Sequence, residues 1–511
     1  MSKPNVLFIM ADQLRADTIA ALGNGHIYTP NLDRLVARGV SFHNAYSQTP
    51  VCVAARYAIR TGRDPLTTRV FSNGSVPPVA GQSDCMTERC GPYLAQTMRD
   101  LGYRTFGIGK FHAHPWDEDL GYDVHLHSEE IVAHPERRAA DAYGSYIARE
   151  RPAYDFVEGL HGERTEMYYM PQMSPMPAEC TVEAWVADRA VEQIGQEGEK
   201  PFFGFCSFIG PHPPLAPPIP FNRLYDPDRM PDPVHGDRHV DHADEQIPWM
   251  NHGVWAEDVS DAQARMVKAR YYGEITYIDD CLGRILDAVE ARDDADNTVI
   301  CFFADHGDHL GDHDAWQKES FFEASCHVPF LVSWPQQLPT DTRSNELVAL
   351  TDLFGIATSA AGKTQLRDGS DVLGMLRDQV PGRDRVIGLY GAPGSQQFKV
   401  MVREQRWKYI WLANGSRELL FDVTADPQEL RELSASQPDV TDRLRQAAVA
   451  HLSQPSGEGC LEADQLAGHR FEARPLKRIY QFGHWPQEGH GFPTDPGQAL
   501  RQYQNTVRRE T

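Results

Sequence analysis

The chain has 511 residues, of which 49 are Lys or Arg and 72 are Asp or Glu, so its formal net charge is −23. This acidity argues against a nucleic-acid binder, because binding to the phosphate backbone requires clustered positive charge, and it makes an anionic membrane surface an unsuitable partner. Hydrophobic residues make up 41% and charged residues 24% of the chain, which excludes a disordered protein and predicts a globular one with room for a large core.

The N-terminal segment and the cysteines bear on the compartment. Six consecutive apolar residues precede Asp12, too few for the core of a signal peptide, and no stretch approaches the roughly 20 apolar residues of a membrane helix. The nine cysteines are odd in number, scattered and without a CxxC pair, which fits neither a disulfide framework nor a structural zinc site. We therefore expect a cytoplasmic protein with reduced, mostly buried thiols.

Short apolar runs typical of buried strands alternate with helix-like stretches up to about residue 360. The predicted strands cover residues 6–10, 104–108, 202–208, 298–303 and 329–334. Amphipathic helices are predicted between them, for example over 32–38 and 93–101. Strands that are apolar throughout and separated by helices indicate an α/β fold with a large, mostly parallel central sheet sandwiched by helices.

The rest of the chain has a different character. Residues 133–261 are rich in Pro, His, Asp and Met without clear periodicity, which predicts long loops of the kind that serve a site. From about residue 385, short strands at 400–403, 407–412 and 418–421, with a turn at Asn414 and Gly415, predict a small antiparallel sheet. We therefore predict a catalytic α/β domain over 1–380, a small C-terminal subdomain over 381–455 and an extended tail over 456–511. The tail is expected to be solvated or to form an interface, with metal binding by His484 and His490 as the alternative.

Ionisable side chains follow four of the predicted strands directly. In an open α/β sheet, functional residues lie just beyond the carboxyl ends of the strands. Four strands that each end in such groups at one edge predict an active site there. The residues are, in chain order, Asp12 and Gln13, Lys110 and His112, His212, and Asp305, His306 and Asp308.

The segment TPVCVAARYAIRTGR, residues 49–63, places Cys52 at the start of a helix-forming stretch that ends near Gly62. Backbone N–H groups and the helix dipole stabilise negative charge at a helix N-terminus. Arg56 lies four residues later on the same helical face, so its guanidinium can reach the same anion. A buried packing thiol is the plainer interpretation of Cys52 on its own, and the other motifs are what favour a chemical role.

Several motifs together resemble one family. CVAAR resembles the C-x-[PA]-x-R signature of type I sulfatases, the formylglycine-dependent branch of the alkaline phosphatase superfamily. PNVLFIMADQLRAD resembles the family's first metal strand, TPNLDRLVARGVSFHNAY the segment before the nucleophile, GKFH its GKxH motif, SFIGPHPPL its Pro-His-x-Pro loop, ADHGDHLGDH its second metal loop and WQKESFFEASCHVPF its Lys-bearing loop. The likeness covers most of residues 4–435 in the family's order. It implies an alkaline phosphatase-like fold close to the arylsulfatases, choline sulfatases and phosphonate monoester hydrolases.

The resemblance implies a nucleophile and a metal site. Cys52 would be oxidised to formylglycine by a formylglycine-generating enzyme, and the hydrated aldehyde would supply the nucleophilic oxygen. Asp12, Asp305 and His306, with residue 52, would bind one divalent metal. Ca²⁺ is the family's usual ion, and Mn²⁺ is the alternative because many relatives have Asn in place of His306. Gln13 stands where many sulfatases have a second Asp, which leaves its ligation open.

The resemblance also implies roles around the substrate, a small anionic sulfate ester. Arg56 and Lys110 would hold residue 52 and offset developing charge. His112 would accept the proton of the second hydroxyl as sulfate leaves, and His212 and Lys318 would bind sulfate oxygens and assist the leaving group. Similar tails in relatives imply a homo-oligomer, a dimer or tetramer. The remaining polar residues of these loops are expected to be solvated or to support the ligands, and they are His114, His309, His313, Asp308, Asp312 and Asp314.

Other functions remain open at this stage. A phosphonate monoester or phosphodiester hydrolase shares the fold, metal strands and formylglycine, but in such relatives the strand after the nucleophile helix tends to end in Tyr and Thr. Lys110 and His112 at that place favour a sulfatase acting on an aryl sulfate. Choline sulfatase, with a similar DHGD loop and tail, would need an aromatic and carboxylate cage for the choline cation. An alkaline-phosphatase-type enzyme would need Ser or Thr at position 52, and a metal-binding pseudo-enzyme is the alternative from another class.

Overall fold

The computed structural model describes residues 2–74, 85–129, 135–155, 169–255 and 259–476. Within them, a large sheet is formed by eight strands, which are β1 (Asn5–Ala11), β2 (Val40–Tyr46), β3 (Arg104–Gly109), β4 (Val124–His127), β5 (Phe202–Phe208), β6 (Thr298–Ala304), β7 (Phe330–Ser333) and β8 (Thr342–Ala349). Their order across the sheet is β4-β3-β5-β1-β6-β7-β2-β8. Every neighbouring pair is parallel except the two that include β7, which runs antiparallel to β6 and β2.

Apolar sequence determines the centre of this sheet. β1, β5 and β6 are buried at every position. A strand with no polar side must be covered on both faces, so these runs require helices above and below the sheet. The predicted α/β fold is therefore confirmed, and all five predicted strands are present in the sheet.

The described residues also form helices of very different lengths. In chain order they are Pro30–Ala37, Cys52–Thr61, Pro65–Thr68, Met86–Cys90, Leu94–Asp100, Pro135–Ala140, Ala142–Glu150, Val182–Ile194, Arg238–Asp241, Gln246–Val254, Asp261–Glu290, Glu323–Cys326, Asp352–Ala360, Val372–Met375 and Pro438–Leu452. The longest has 30 residues and starts at a capping box, in which Ser260 and Gln263 each accept a backbone N–H hydrogen bond from the other.

The predicted helices at 32–38 and 93–101 are present as Pro30–Ala37 and Leu94–Asp100. The prediction of long loops over 133–261 was partly wrong, because this segment contains the helices Ala142–Glu150, Val182–Ile194 and Gln246–Val254. The helix Val182–Ile194 packs on β5 and on the longest helix. The longest helix is remote in sequence, so part of the stability of Val182–Ile194 comes from tertiary packing that local periodicity does not reveal.

A smaller antiparallel sheet follows, with strands β9 (Val386–Tyr390), β10 (Lys399–Arg403), β11 (Trp407–Leu412) and β12 (Arg417–Asp422) in the order β12-β11-β10-β9. It confirms the three predicted strands and adds β9. The helix Pro438–Leu452 packs on this sheet, and the two-residue strands β13 (Leu461–Glu462) and β14 (Gln465–Leu466) follow. His484 and His490 lie outside the described residues. In the described part of the chain, no helix has both the length and the apolar character needed to cross a membrane.

Candidate active site

Four neighbouring strands bring the predicted residues to one edge of the large sheet. β3, β5, β1 and β6 lie side by side, and Lys110, His212, Asp12 and Asp305 follow them. The register pairs Ala11 with Ala304, so Asp12 and Asp305 leave the sheet next to each other. The sequence-based expectation that four carboxyl ends meet at one edge is confirmed.

A glycine allows β3 to deliver Lys110 to this edge. Gly109 has φ +95°, and a Cβ atom there would lie 2.0 Å from the carbonyl oxygen of Ser207. Only glycine tolerates both the backbone conformation and the close approach. The next N–H, that of Lys110, donates to the same carbonyl at 3.1 Å, which fixes the turn out of the strand.

Cys52 is the first residue of the helix Cys52–Thr61. The preceding Val51 is extended, with φ −159° and ψ 142°, and its side chain does not cap the helix. Pro50 ahead of it has no N–H, and its ring disfavours the helical conformation at the preceding Thr49. The side chain of Cys52 is fully buried at the end of the helix whose N–H groups favour negative charge.

Positively charged groups surround the sulfur of Cys52. Its Sγ lies 3.0 Å from Nζ of Lys318 and 3.1 Å from Nε2 of His306. Its Sγ also lies 3.7 Å from Oδ1 of Asp12. Burial raises the pKa of the thiol, but Lys318, Lys110 and His306 outweigh it and hold the pKa well below its usual value. Position 52 is therefore built to carry negative charge.

Asp12, Cys52, Asp305 and His306 form a candidate metal group, with ligand atoms that all lie within 4.8 Å of one another and side chains that are buried. Nδ1 of His306 is 3.0 Å from the carbonyl oxygen of Gly307 and donates to it, which leaves the Nε2 lone pair for a ligand. Burial and the adjacent charge of Asp12 raise the pKa of Asp305, a repulsion that a divalent cation would offset. These donors fit Ca²⁺ or Mn²⁺.

Arg56 lies between the two carboxylates. Its Nη2 donates to Oδ2 of Asp12 at 2.8 Å, and its Nε donates to Oδ2 of Asp305 at 3.0 Å. Nη1 donates to the hydroxyl of Ser207 and to the carbonyl oxygen of Lys110. The ammonium of Lys110 pairs with Asp12 at 2.8 Å. Both cations thus contact Oδ2 of Asp12, whose other oxygen, Oδ1, lies near Cys52.

Lys318 is held in place by a chain of hydrogen bonds. Its Nζ donates to Oε1 of Gln13 at 2.8 Å as well as to the sulfur of Cys52. The amide of Gln13 donates to Asp308 at 2.5 Å and to the hydroxyl of Tyr169 at 3.1 Å. Burial lowers the pKa of Lys318, but the charge on Cys52 raises it to about 12, so the ammonium stays protonated.

The two predicted histidines reach the same space. The ring of His112 hydrogen-bonds Cys52 and helps to lower the pKa of its thiol. Nδ1 of His112 is buried without a hydrogen-bond partner among the described residues. The ring of His212 is nearly buried, with Nδ1 2.8 Å from the carbonyl oxygen of Pro213. Its charge contributes to lowering the pKa of Asp12.

Residues 4–363 match the Sulfatase family. The chain belongs to the sulfatase family. Residues 311–453 also match a C-terminal region described as that of N-sulphoglucosamine sulphohydrolase. The sequence-based resemblance is therefore confirmed, and the protein is a sulfuric ester hydrolase.

Relatives from each predicted group resemble this sulfatase over nearly its whole length. An arylsulfatase of Clostridium perfringens is 28% identical over 488 residues, which cover 91% of this chain and 97% of the relative. A choline-sulfatase of Rhizobium meliloti is 28% identical over 511 residues, which cover 95% and 94%. The crystal structure of a phosphonate monoester hydrolase of Agrobacterium radiobacter superposes with a TM-score of 0.73 at 24% identity, covering 88% of this chain and 96% of that chain, which shows the shared fold.

The remaining polar residues of the loops fall into two groups. Asp308, Asp312, His309 and His313 are buried, so the supporting role, not the solvated one, is what remains for them, whereas Asp314 and His114 are partly exposed. The buried ones hold the sulfatase loop together: Asp312 pairs with Arg15 at 2.8 Å, and His309 contacts the hydroxyl of Ser320 at 2.6 Å. Asp308 supports Gln13, as the expectation of a supporting role allowed.

The small sheet supports both loops that carry the reactive groups. On β9, Leu389 donates its N–H to the carbonyl oxygen of Gln48 at 2.8 Å, four residues before Cys52. On β10, Nζ of Lys399 donates to the carbonyl oxygen of Glu319 at 2.8 Å, next to Lys318. Residues beyond 380 therefore help to shape the site of this sulfatase.

Sequence reasoning missed Ser207 and Tyr169, which both contact residues of the site. Ser207 near the end of β5 accepts a hydrogen bond from Arg56, and its position one residue before the end of a predicted strand was a usable signal. Tyr169 contacts Gln13 and Asp308 with its hydroxyl group. It lies in the Pro- and Met-rich segment, where no periodicity distinguishes it.

Proposed function

We propose that this sulfatase hydrolyses a sulfate monoester, an aryl sulfate, with formylglycine formed from Cys52 as its nucleophile. One observation carries the proposal. The side chain at position 52 starts a helix and lies between the Lys318 ammonium and the His306 imidazole, within reach of His112. The Cys52 sulfur stands in for the oxygens of the hydrated formylglycine.

The proposed modification explains why a cysteine occupies this place. Hydrated formylglycine supplies one hydroxyl for attack on sulfur and a second whose deprotonation releases sulfate by C–O cleavage. A formylglycine-generating enzyme would carry out the oxidation of Cys52. Asp12, Asp305 and His306, with residue 52, would hold Ca²⁺ or Mn²⁺, which would neutralise negative charge on the sulfate oxygens.

Cationic side chains of the protein are placed to bind the anionic substrate. A sulfate ester repels an incoming nucleophile, so its oxygens must be neutralised as charge moves in the transition state. Lys318 faces position 52 and stays protonated, and His212 lies at the end of the neighbouring strand β5. We assign to these two residues the binding of sulfate oxygens and support of the leaving group, while Arg56 and Lys110 hold the Asp12 side of the site.

His112 is placed to move a proton at position 52. The imidazole of His112 interacts with Cys52 and has a free lone pair on one nitrogen when it is neutral, so it can accept a proton from a hydroxyl at position 52. We propose this residue as the base of the second half of the reaction. Lys110 and His112 together favour sulfate esters over the phosphonate monoester and phosphodiester alternatives.

Choline sulfate is the second candidate substrate because of one cavity. A cavity of about 180 Å³ is lined by Trp255, Trp316, Asp261 and Asp314. His235 and Arg238 line it as well and pair with the two carboxylates, so a choline cation would have to compete with them. Aromatic rings and carboxylates are the groups that bind quaternary ammonium ions. Trp316 lies two residues before Lys318, which brings this cavity near the site.

A substrate panel distinguishes these alternatives. We expect an aryl sulfate to give a higher kcat/KM than choline sulfate, a phosphodiester or a phosphonate monoester at equal concentration. A Cys52→Ala preparation is the control for contaminating esterases. Preference for the phosphonate or phosphodiester would overturn the assignment to sulfate esters. Preference for choline sulfate would make choline, and not an aryl group, the leaving group of the substrate.

Removal of the metal is expected to abolish turnover and to lower stability. Without the metal, the repulsion between Asp12 and Asp305 is offset by Arg56 and Lys110 alone. A ligand at 100 times its Kd stabilises a folded protein by about 2.7 kcal/mol. Activity and melting temperature are measured after chelation and again after Ca²⁺ or Mn²⁺ is restored. Unchanged activity and melting temperature after complete metal removal, verified by elemental analysis, would contradict the proposed site.

We further propose a cytoplasmic homo-oligomer assembled through the tail. The support is the aromatic segment YQFGHWPQEGHGF, residues 480–492. A chain that ends after residue 476 keeps the contacts of Arg474 with Gln246 and Glu245. We expect it to be smaller in solution than the full chain by light scattering. An unchanged oligomeric mass would remove the tail from the interface.

A further inference from the structure

The backbone at His112 has an uncommon conformation that one carboxylate holds. His112 has φ +50°, in the left-handed region that residues other than glycine seldom adopt. Oε1 of Glu129 accepts the N–H of His112 at 2.5 Å and the N–H of Phe111 at 3.1 Å. Two consecutive N–H groups thus converge on one oxygen at the point where the chain leaves Lys110.

Glu129 is itself fixed from three sides. Its N–H donates to Oδ2 of Asp141 at 2.9 Å, and its Oε1 lies 2.6 Å from Nε2 of His127. The preceding Ser128 donates its N–H to the carbonyl oxygen of Gly109 at 2.9 Å. The carboxylate is therefore anchored to the end of β3, from which the His112 segment departs, and its side chain is only 9% exposed.

The carboxylate is ionised. Burial raises the pKa of Glu129, but the hydrogen bond from His127 and the charges of His112 and His127 lower it to about 2. Hydrogen bonds from N–H groups to an ionised acceptor are roughly twice as strong as neutral ones. A strained backbone conformation persists where the surrounding structure fixes it, and here the charged oxygen binds two consecutive N–H groups.

We infer that Glu129 is a positioning residue for His112, whose carboxylate holds the turn that aims the imidazole at position 52. This inference rests on the proposed function, because it acts through the role of His112 there. Without the carboxylate, the backbone at His112 is free to return to an ordinary conformation, which moves the ring away from residue 52. A displacement of about 1 Å from productive geometry can cost about 100-fold in rate.

Three variants and one control test this inference. Glu129→Ala removes the acceptor, Glu129→Asp keeps the charge but withdraws it by one methylene, and Glu129→Gln keeps an acceptor oxygen at the same reach. Asp123→Ala is the matched control, because Asp123 accepts hydrogen bonds from the N–H and hydroxyl of Thr105, near the opposite end of β3. It removes a similar carboxylate–backbone contact far from His112.

The measured quantity is the phenol released from an aryl sulfate, followed from the first turnover onward. We expect Glu129→Ala to release the first equivalent at the wild-type rate and then to continue about 100-fold more slowly. We expect Glu129→Asp and Glu129→Gln to show the same imbalance to a lesser degree, the first because its charge is withdrawn and the second because a neutral oxygen accepts more weakly. Asp123→Ala is expected to retain the wild-type ratio of first to later turnovers. The Asp variant and the Gln variant decide the question if the Ala variant does not fold.

If Glu129→Ala or Glu129→Asp slowed the first and later turnovers equally, Glu129 would have a general structural role and no specific role in positioning His112. That result would overturn the inference. So would the same imbalance in Asp123→Ala. Failure of the wild-type protein to turn over any sulfate ester would instead overturn the proposed function, and the two failures are distinguishable because the second needs no variant.

Discussion

A Cys52→Ala variant is expected to lose nearly all turnover, by roughly 10⁴- to 10⁶-fold, as when the nucleophile of a catalytic set is removed. The reason is that the substitution leaves Lys318 and His306 facing a methyl group, with no atom that can attack sulfur or carry the negative charge they stabilise. Activity toward an aryl sulfate and the melting temperature are measured together, because the fold should survive the loss of a single sulfur atom.

A second buried cysteine provides the matched control. Cys301 on β6 is fully buried, like Cys52, but burial raises the pKa of its thiol and no cation opposes that effect. Cys301→Ala is therefore expected to lower stability slightly and to leave turnover intact. Retention of more than about a hundredth of wild-type activity in Cys52→Ala would contradict a covalent role for residue 52.

A His112→Ala variant is expected to stop after one turnover. The ring that faces position 52 is the proposed base for the second half of the reaction, and loss of a general base costs roughly 10²- to 10⁴-fold. We expect a burst of about one equivalent of the phenol per active site. Later turnovers should then be slower than those of the wild type by roughly 10²- to 10⁴-fold. Over the same interval, the peptide that contains residue 52 should gain the mass of one sulfuryl group.

His114→Ala is the control for this prediction. Its ring lies 5.9 Å from that of His112 and is partly exposed, and it is the nearest residue of the same type on the same segment. We expect it to keep the wild-type ratio of first to later turnovers. Full loss of activity in His112→Ala, without a burst and without a mass increase, would place His112 in the first half of the reaction.

The centre of the fold and the core of the site could be predicted because both depend on local sequence. β1, β5 and β6 are continuous apolar runs, and the charged residues that follow them stand out against those runs. The parallel arrangement then brings Asp12 and Asp305 together by a rule of sheet geometry. Cys52 was recognised through the motif order, because a buried cysteine has no chemical signature of its own.

The parts that could not be predicted depend on contacts between distant segments. β8 lies at the edge of the sheet with exposed and half-exposed positions along its first half, so no apolar run marks it. The helix Asp261–Glu290 buries polar residues such as Glu274 and Asp279, which obscures its apolar face. Glu129 and Tyr169 contact the site from segments without any motif.

The net charge of −23 and an anionic substrate are compatible, because the positive charge is local. Within the site, Asp12 and Asp305 are paired with Arg56, and the proposed metal would use the same carboxylates. Lys318 then faces position 52 with its charge available to a sulfate group. The surrounding acidity predicts that association with the substrate is not accelerated by long-range attraction.

The most direct test of the central claim is the mass of the peptide that contains residue 52, from a preparation whose turnover of an aryl sulfate has been measured. We expect the mass of formylglycine, as the aldehyde or its hydrate, with an occupancy that follows specific activity from one preparation to the next. An active preparation in which this peptide carries only the unmodified Cys52 thiol would contradict the claim.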